Sequence, residues 1–241
     1  MTPETAVSAV VVSAGSSQRF VESVGESDNK AFHSKALCLL GGRPVLHWAL
    51  DSLFQIKIEE LVLVVSLETR SAFEKSLEEY GKLEAELKIV EGGLRRQDSV
   101  RKGLAALRSV PFVLVHDAAR PIFRGSYLKT LLQALERYPA ALPCLQIADT
   151  VVSATEGGIQ PSPLDRSHLR RAQTPQAFRL SVLKELHDSL SASDRNFTDD
   201  ISLFIEKGFQ VAEVEGDPYN TKITRFEDLK LLEALVSCGI V

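Results

Sequence analysis

The chain has 241 residues, of which 44% are hydrophobic and 25% are charged, as is ordinary for a globular protein. Its formal net charge of -4 argues against a general binder of nucleic acid or acidic membrane, because such proteins present a basic surface. The three cysteines lack a C-x-x-C pair, which argues against a disulfide framework or a zinc site and favours a reducing cytosol. No uncharged apolar stretch approaches the ~18 residues of a membrane span. We therefore expect a cytoplasmic protein that binds neither nucleic acid nor membrane.

The first predicted strand runs from Ala6 to Ala14 and opens onto the small-residue turn Gly15-Ser16-Ser17. A buried strand that ends in Gly and Ser and is followed by cations is typical of phosphate-binding α/β proteins. Backbone N–H groups of such a turn point at the anion, and Arg19 and Lys35 would neutralise it. The polar segment from Val21 to Ser34 lies between these cations. It is either a mobile loop that closes over a ligand or a tolerated surface insertion.

Predicted strands alternate with amphipathic helices over the next part of the chain. The strands are 61–65, 87–90 and 112–115, and the helices are 68–80, 98–107 and 127–138. Continuous apolar strands in such an alternation indicate a mostly parallel sheet. We therefore predict an α/β fold in which helices cover both faces of a mostly parallel sheet.

The pattern changes after Ala140. A strand is predicted over 141–147, and Val151–Ser153 with the turn signal Gly157-Gly158 indicates a β-hairpin. We expect residues 1–241 to form one domain, from which a β-arm at about 149–172 protrudes and packs on another subunit. The C-terminal part is predicted to contain helices 181–190 and 199–207, a strand at 209–214, and a last helix. Thr224 and Glu227 match a capping box at the start of that helix.

Polar runs follow the ends of predicted strands. One is Gly92-Gly-Leu-Arg-Arg-Gln-Asp-Ser-Val100, and another is His116-Asp-Ala-Ala-Arg-Pro121. Ligands of an open α/β sheet bind beyond the carboxyl ends of its strands, so these runs and the first turn should converge on one crevice. The sequence contains neither a Walker A motif nor G-x-G-x-x-G, which argues against P-loop NTPases and dinucleotide enzymes.

Six motifs in one order carry a resemblance to a known family. They are Ser13-Ala-Gly-Ser-Ser-Gln-Arg19, Gly92-Gly-x-x-Arg96-x-x-Ser99-Val, His116-Asp-Ala-Ala-Arg-Pro121, Asp149-Thr150, Thr174-Pro-Gln176 and Thr198-Asp199. So ordered, the chain resembles the 2-C-methyl-D-erythritol 4-phosphate cytidylyltransferases from residue 6 to residue 236. The resemblance implies a nucleotidyltransferase fold of the GT-A-like Rossmannoid type. It also implies a reaction of CTP with methylerythritol 4-phosphate that uses Mg²⁺, and a homodimer in which each arm completes the neighbour's active site.

The resemblance also implies roles for individual residues. Residues implied to bind CTP are Ala14, Gly15, Gly92, Arg96 and Ser99. Residues implied to contact the sugar phosphate are Asp117, Arg120 and Thr150, and Asp117 would also lie near Mg²⁺. Residues implied to be catalytic are Arg19, Lys35, Arg166 and Lys222. The attacking group would be a phosphate oxygen that is already ionised, since its second pKa is about 6, so no general base is needed. Positioned cations are what such a transfer requires.

The sequence also departs from the family pattern. Ser17 stands where the turn normally has Gly, and Ser34-Lys35-Ala36 replaces Pro-Lys-Gln, which leaves Lys30 as a competing candidate for the reactive lysine. Arg95 competes with Arg96, and Arg170 and Arg171 compete with Arg166. Two other functions remain open at this point. One is a ribitol 5-phosphate cytidylyltransferase, and the other is a non-catalytic nucleotide-binding protein on the same scaffold.

Overall fold

The computed structural model describes residues 6–24, 34–81, 83–156, 158–190 and 196–241. The elements of the first half are β1 (Val7–Ser13), α1 (Gln18–Ser23), β2 (Leu39–Leu40), β3 (Arg43–Pro44), α2 (Val45–Leu53), β4 (Glu60–Val65), α3 (Arg70–Tyr80), β5 (Glu86–Glu91), α4 (Arg96–Ala106) and β6 (Phe112–Asp117). Those of the second half are α5 (Ser126–Ala134), β7 (Ala140–Gln146), β8 (Val151–Thr155), β9 (Gly158–Leu164), β10 (Arg170–Ala172), β11 (Gln176–Arg179), α6 (Leu180–Ser189), α7 (Ile201–Glu206), β12 (Ala212–Glu215) and α8 (Phe226–Ser237).

Eight strands form the central sheet, in the order β10-β7-β11-β6-β1-β4-β5, with β12 added to β7. Strand β1 pairs in parallel with both β4 and β6, and β5 continues the parallel arrangement on β4. Of the described strands in this sheet, only β10 and β11 run antiparallel to their neighbours. The prediction of a mostly parallel sheet is confirmed. The parallel registers align the carboxyl ends of β1 and β6, so that Val12 lies beside Asp117.

Helices cover both faces of this sheet, as predicted. Ala9 and Val11 of β1 pack on one side with the buried apolar residues of α2, α3 and α5. Val10 faces the other side, where it packs with Val100 and Leu104 of α4 and with residues of α6 and α7. Alternate residues of one strand therefore serve two cores, and each fully buried Val or Leu contributes about 1.5–3 kcal/mol relative to an exposed one.

A third, smaller apolar cluster supports the loops at the carboxyl edge of the sheet. It joins Phe20 of α1, Cys38, Ala119 after β6, and Ile223 with the buried leucines of α8. A 3₁₀ turn, Lys35–Leu37, precedes β2, and the Ser34 side chain accepts a hydrogen bond from the Ala36 N–H at its start. This cluster fixes the segments that carry the predicted cations.

The hairpin is present but shorter than the predicted arm. Strands β8 and β9 pair antiparallel with each other and form a two-stranded sheet of their own, with Val151 opposite Leu164. Residues 170–172 were predicted to belong to the arm, yet as β10 they pair with β7 of the central sheet. No helix in the described ranges combines the length and the apolar character that crossing a membrane requires.

Two local predictions near the C-terminus were wrong. The strand expected at 209–214 occupies Ala212–Glu215, because Gly208, in the left-handed region at φ 75°, and Phe209 close the end of α7 through backbone hydrogen bonds. The last helix begins at Phe226 and is not capped by Thr224 and Glu227. Instead, the Asp228 carboxylate accepts hydrogen bonds from the N–H groups of Thr224 and Arg225, both at 2.8 Å.

Candidate active site

A cavity of about 410 Å³ opens at the carboxyl ends of β1 and β6. Its walls come from the turn between β1 and α1, the 3₁₀ turn at Lys35, the start of α4, the end of β6 and the segment before α8. This volume lies in the range of small-molecule sites, and the position matches the ligand crevice of open α/β sheets. The predicted convergence of strand-end motifs on one crevice is therefore found.

The turn after β1 forms the floor of the cavity. Ser17 adopts a left-handed conformation at φ 54°, which costs a non-glycine residue about 1 kcal/mol. Gly92 lies directly behind this turn, where a Cβ atom would come within 2.3 Å of the Ala14 Cβ and 2.8 Å of the Ser99 Oγ. Ser99 in turn accepts a hydrogen bond from the Gly93 N–H at 3.0 Å. Close packing of Gly92 against the turn therefore sets the shape of this part of the cavity.

Three predicted cations line the same cavity. Arg19 lies on α1, Lys35 on the 3₁₀ turn and Lys222 on the segment that precedes α8. The Ile223 N–H donates to the Ala119 carbonyl at 2.8 Å, which holds that segment beside the end of β6. Burial, with the positive charge of Lys222 next in size, lowers the pKa of Lys35 to about 8, although Asp117 opposes the shift. These charges are close enough to act on one bound polyanion.

Asp117 ties the cationic groups together. Its Oδ2 accepts from the Lys222 Nζ at 2.6 Å, and its Oδ1 accepts from the Arg96 Nε at 3.3 Å. Burial alone would raise the pKa of Asp117, but the charges of Arg96 and Lys222 hold it well below its usual value. The Thr174 Oγ accepts from the Asp117 backbone N–H at 3.1 Å. The carboxylate therefore stays ionised in a fixed orientation.

His116 lies beneath Asp117 and is fully buried. Its Nε2 donates to the Arg120 carbonyl at 3.0 Å, which leaves Nδ1 to accept from the Thr174 hydroxyl at the same distance. Burial lowers the pKa of His116 to about 4, so the ring is neutral at physiological pH. His116 is therefore part of the support of Asp117 and is not placed for proton transfer in the cavity.

The structure brings together most of the predicted site residues. Those that line the cavity are Ala14, Gly15, Arg19, Lys35, Arg96, Ser99, Asp117 and Lys222. Gly92 lies behind the wall. The guanidinium of Arg120 donates to the carbonyls of Asn220 and Ala172, outside the lining. Thr150 and Arg166 belong to the arm region, where Arg166 donates to the Ala148 carbonyl. Lys30 lies outside the described residues, and the individual roles of all these residues stay predictions.

Sequence reasoning missed two buried residues next to the cavity. Asp200 accepts a hydrogen bond from the Arg96 Nη1 at 2.7 Å, and His187 donates to Asp200 at 3.0 Å. The sequence could have revealed His187 as a buried residue, because it stands next to Leu186 and four residues after Leu183 on the apolar face of α6. A titratable side chain on a buried helical face requires a partner.

The fold and the cavity together define an α/β enzyme of the nucleotidyltransferase class. The sequence model of the 2-C-methyl-D-erythritol 4-phosphate cytidylyltransferases matches residues 7–238. The chain belongs to this family.

Curated relatives and solved structures agree with that assignment. The 2-C-methyl-D-erythritol 4-phosphate cytidylyltransferase of Geobacillus thermodenitrificans is 37% identical over 96% of this chain and 97% of its own. The structure of the enzyme from Thermus thermophilus superposes with a TM-score of 0.75 at 31% identity, covering 97% of this chain and all of that one. The 4-diphosphocytidyl-2C-methyl-D-erythritol synthase of Anaerococcus prevotii gives a TM-score of 0.80 at 27% identity, covering 97% of this chain and 99% of its own.

Proposed function

We propose that this chain transfers the cytidylyl group of CTP to 2-C-methyl-D-erythritol 4-phosphate, a step of non-mevalonate isoprenoid biosynthesis that releases pyrophosphate. The observation that carries this proposal is the meeting of Arg19, Lys35 and Lys222, from three separate segments, around one cavity at the carboxyl edge of the sheet. Family membership supplies the identity of the two substrates. The presence of all three cations argues against a non-catalytic nucleotide-binding protein on the same scaffold.

In this reaction a phosphate oxygen of the sugar attacks the α-phosphorus of CTP. A new P–O bond forms there, and the bond to the oxygen that bridges to the β-phosphate breaks. Arg19 and Lys35 offset the charge that builds up on the α-phosphoryl group, and Lys222 helps to bring the second anion close. Ala14, Gly15, Gly92, Arg96 and Ser99 are proposed to form or shape the CTP-binding wall. No general base is required because the attacking oxygen is ionised at neutral pH.

The residues at the cavity fit a single Mg²⁺ that arrives with the nucleotide. Of the described residues that line the cavity, Asp117 carries the only carboxylate, and no group of three or more potential ligands occurs in the described part of the chain. Mg²⁺ in such sites is bound by one or two carboxylates together with substrate phosphates. Asp117 would therefore hold the ion, which would neutralise charge on the phosphate oxygens.

We further propose a cytoplasmic homodimer of single-domain subunits that binds neither nucleic acid nor membrane. In this dimer, each arm carries Thr150 and Arg166 to the active site of the neighbouring subunit. At that site they contact the sugar phosphate together with Arg120. This arrangement is supported by the exposure of Val152 and Leu164 on the hairpin, 43% and 45%. The cytoplasmic location is supported by three cysteines without a disulfide, and the acidic net charge argues against nucleic acid.

A substrate panel tests the proposal. The protein is incubated with CTP, Mg²⁺ and either methylerythritol 4-phosphate or ribitol 5-phosphate, and pyrophosphate release is measured, with UTP and ATP as nucleotide controls. We expect release with CTP and methylerythritol 4-phosphate and little with any other combination. Ribitol 5-phosphate is not the favoured substrate, because the matching family and the named relatives are methylerythritol phosphate enzymes. Faster release with ribitol 5-phosphate would reverse this choice.

The pH dependence of kcat/KM for CTP should reflect Lys35. The pKa of Lys35 is lowered to about 8, so the ammonium is charged at pH 7 and loses its proton as the pH rises through 8. Because kcat/KM reports the free enzyme, it should fall about tenfold per pH unit above that value. In Lys35→Arg the guanidinium stays protonated, so the decline near pH 8 should disappear. If kcat/KM of Lys35→Arg still declines near pH 8, the decline is caused by the titration of another group.

A further inference from the structure

A line of hydrogen-bonded polar side chains, buried at His187 and Asp200, connects α6 with the cavity. The His187 Nε2 lies 3.0 Å from the Asp200 Oδ1, and the Asp200 Oδ2 lies 2.7 Å from the Arg96 Nη1. The Arg96 Nε lies 3.3 Å from the Asp117 Oδ1, and the Asp117 Oδ2 lies 2.6 Å from the Lys222 Nζ. The exposed fraction of the side chain is 1% at Asp200 and 36% at Lys222. The line thus runs from the interior to the cavity.

Helix capping does not account for the buried carboxylate of Asp200. The preceding residue, Asp199, supplies the cap of α7, because its Oδ1 accepts from the Ser202 N–H at 2.9 Å. Asp200 points inward instead and has no side-chain capping bond. Burying a charge is expensive, and well-packed apolar residues often replace a buried ion pair without loss of stability. An ionised group at this position therefore suggests a role beyond packing.

The two oxygens of Asp200 have different partners. One oxygen accepts from His187, which fixes the plane of the carboxylate, and the other accepts from Arg96. Burial by itself would raise the pKa of Asp200, but the Arg96 charge and the His187 hydrogen bond keep it below its usual value. The carboxylate is thus ionised and oriented at neutral pH. It holds Arg96 in the rotamer that reaches Asp117.

We propose that His187 and Asp200 are positioning residues of the cytidylyl transfer, which orient the Arg96 guanidinium and through it the Asp117 carboxylate. Neither residue lines the cavity, so neither touches the substrates in this arrangement. Asp117 is the group that pairs with Lys222 and is proposed to hold Mg²⁺. A change at Asp200 is therefore transmitted to the reacting end of the site. This inference rests on the proposed function.

Four variants of the full chain test the proposal. Asp200→Asn keeps the shape but removes the charge, and His187→Leu fills the buried position with an apolar side chain but removes the donor. His187→Gln retains an N–H donor. The matched control is Glu60→Gln, another carboxylate with 1% exposure, which pairs with Lys88 and accepts from the Arg108 N–H. Glu60 opens β4 at the amino edge of the sheet, opposite the cavity.

The readouts are kcat, KM for CTP and the thermal midpoint Tm. Asp200→Asn and His187→Leu should lower kcat about 10- to 100-fold and raise KM for CTP by a smaller factor, because Arg96 also belongs to the proposed CTP-binding wall. His187→Gln should recover most of the activity that His187→Leu loses. Glu60→Gln should lower Tm at least as much as the site variants and leave kcat unchanged.

The outcomes separate this inference from the proposed function. An inactive wild-type protein would refute the function itself. An active wild-type protein whose Asp200→Asn and His187→Leu variants keep the wild-type kcat would refute only the positioning role, as would an equal loss of kcat in Glu60→Gln. Should Asp200→Asn fail to fold, the comparison of His187→Leu with His187→Gln decides by itself, because the two differ in the donor to Asp200.

Discussion

Replacing Lys35 by Ala should lower kcat about 10²- to 10³-fold, as expected when one group that stabilises developing charge is removed. The KM for CTP should change much less, because Arg19 and Lys222 remain in the cavity to hold the triphosphate. Steady-state pyrophosphate release at pH 7, where the Lys35 ammonium is charged, measures both constants. The large change in kcat with a small change in KM is the signature of an interaction made mainly in the transition state.

Lys129 provides the matched control for this change. It is an exposed lysine of α5 outside the cavity lining, so Lys129→Ala removes an equal charge without touching the site. Lys129→Ala should retain the wild-type kcat. Wild-type turnover in Lys35→Ala would remove Lys35 from catalysis and would favour Lys30, the competing lysine.

Replacing Asp117 by Asn should have the largest effect on activity, lowering kcat/KM by about 10³-fold. The amide keeps the size of the side chain but removes the charge that pairs with Arg96 and Lys222, so Lys222 loses this anchor and Arg96 is left with its pair to Asp200. The proposed metal ligand is lost as well. Breaking these partly buried pairs should also lower the free energy of unfolding by about 3 kcal/mol. Denaturant titration and pyrophosphate release measure the two effects.

The Glu60→Gln variant separates activity from stability here too. Both variants remove a paired carboxylate from a strand of the central sheet, partly buried at Asp117 and buried at Glu60, but only Asp117 lies at the cavity. Asp117→Asn should lose activity far beyond its loss of stability, whereas Glu60→Gln should lose stability alone. If the two variants lose the same activity for the same loss of stability, Asp117 has only a structural role.

Local patterns in the sequence predicted the parallel part of the fold well. Residues 61–65 and 112–115 are continuous apolar runs, and both lie inside the observed strands β4 and β6. Such runs are diagnostic because a parallel strand is buried on both faces. Strands β10 and β11 were not predicted, since Arg170–Ala172 is polar and Gln176–Arg179 lacks a β-branched run. Pairing with β7 and β6, a tertiary interaction, makes these segments strands.

In the active site, too, some features were predictable from the sequence and others were decided by the tertiary structure. Strand-end position predicted, from the sequence alone, that Arg19, Lys35 and Asp117 should meet at one crevice, and the family resemblance added Lys222. Only the tertiary structure decided what each group pairs with. Nothing in the local sequence links Arg96 to Asp200, because they are far apart in the chain and join only when α4 and α7 pack on the same face of the sheet. Local sequence specifies periodicity and turns, whereas the partner of a buried charge depends on which elements the folded core brings into contact.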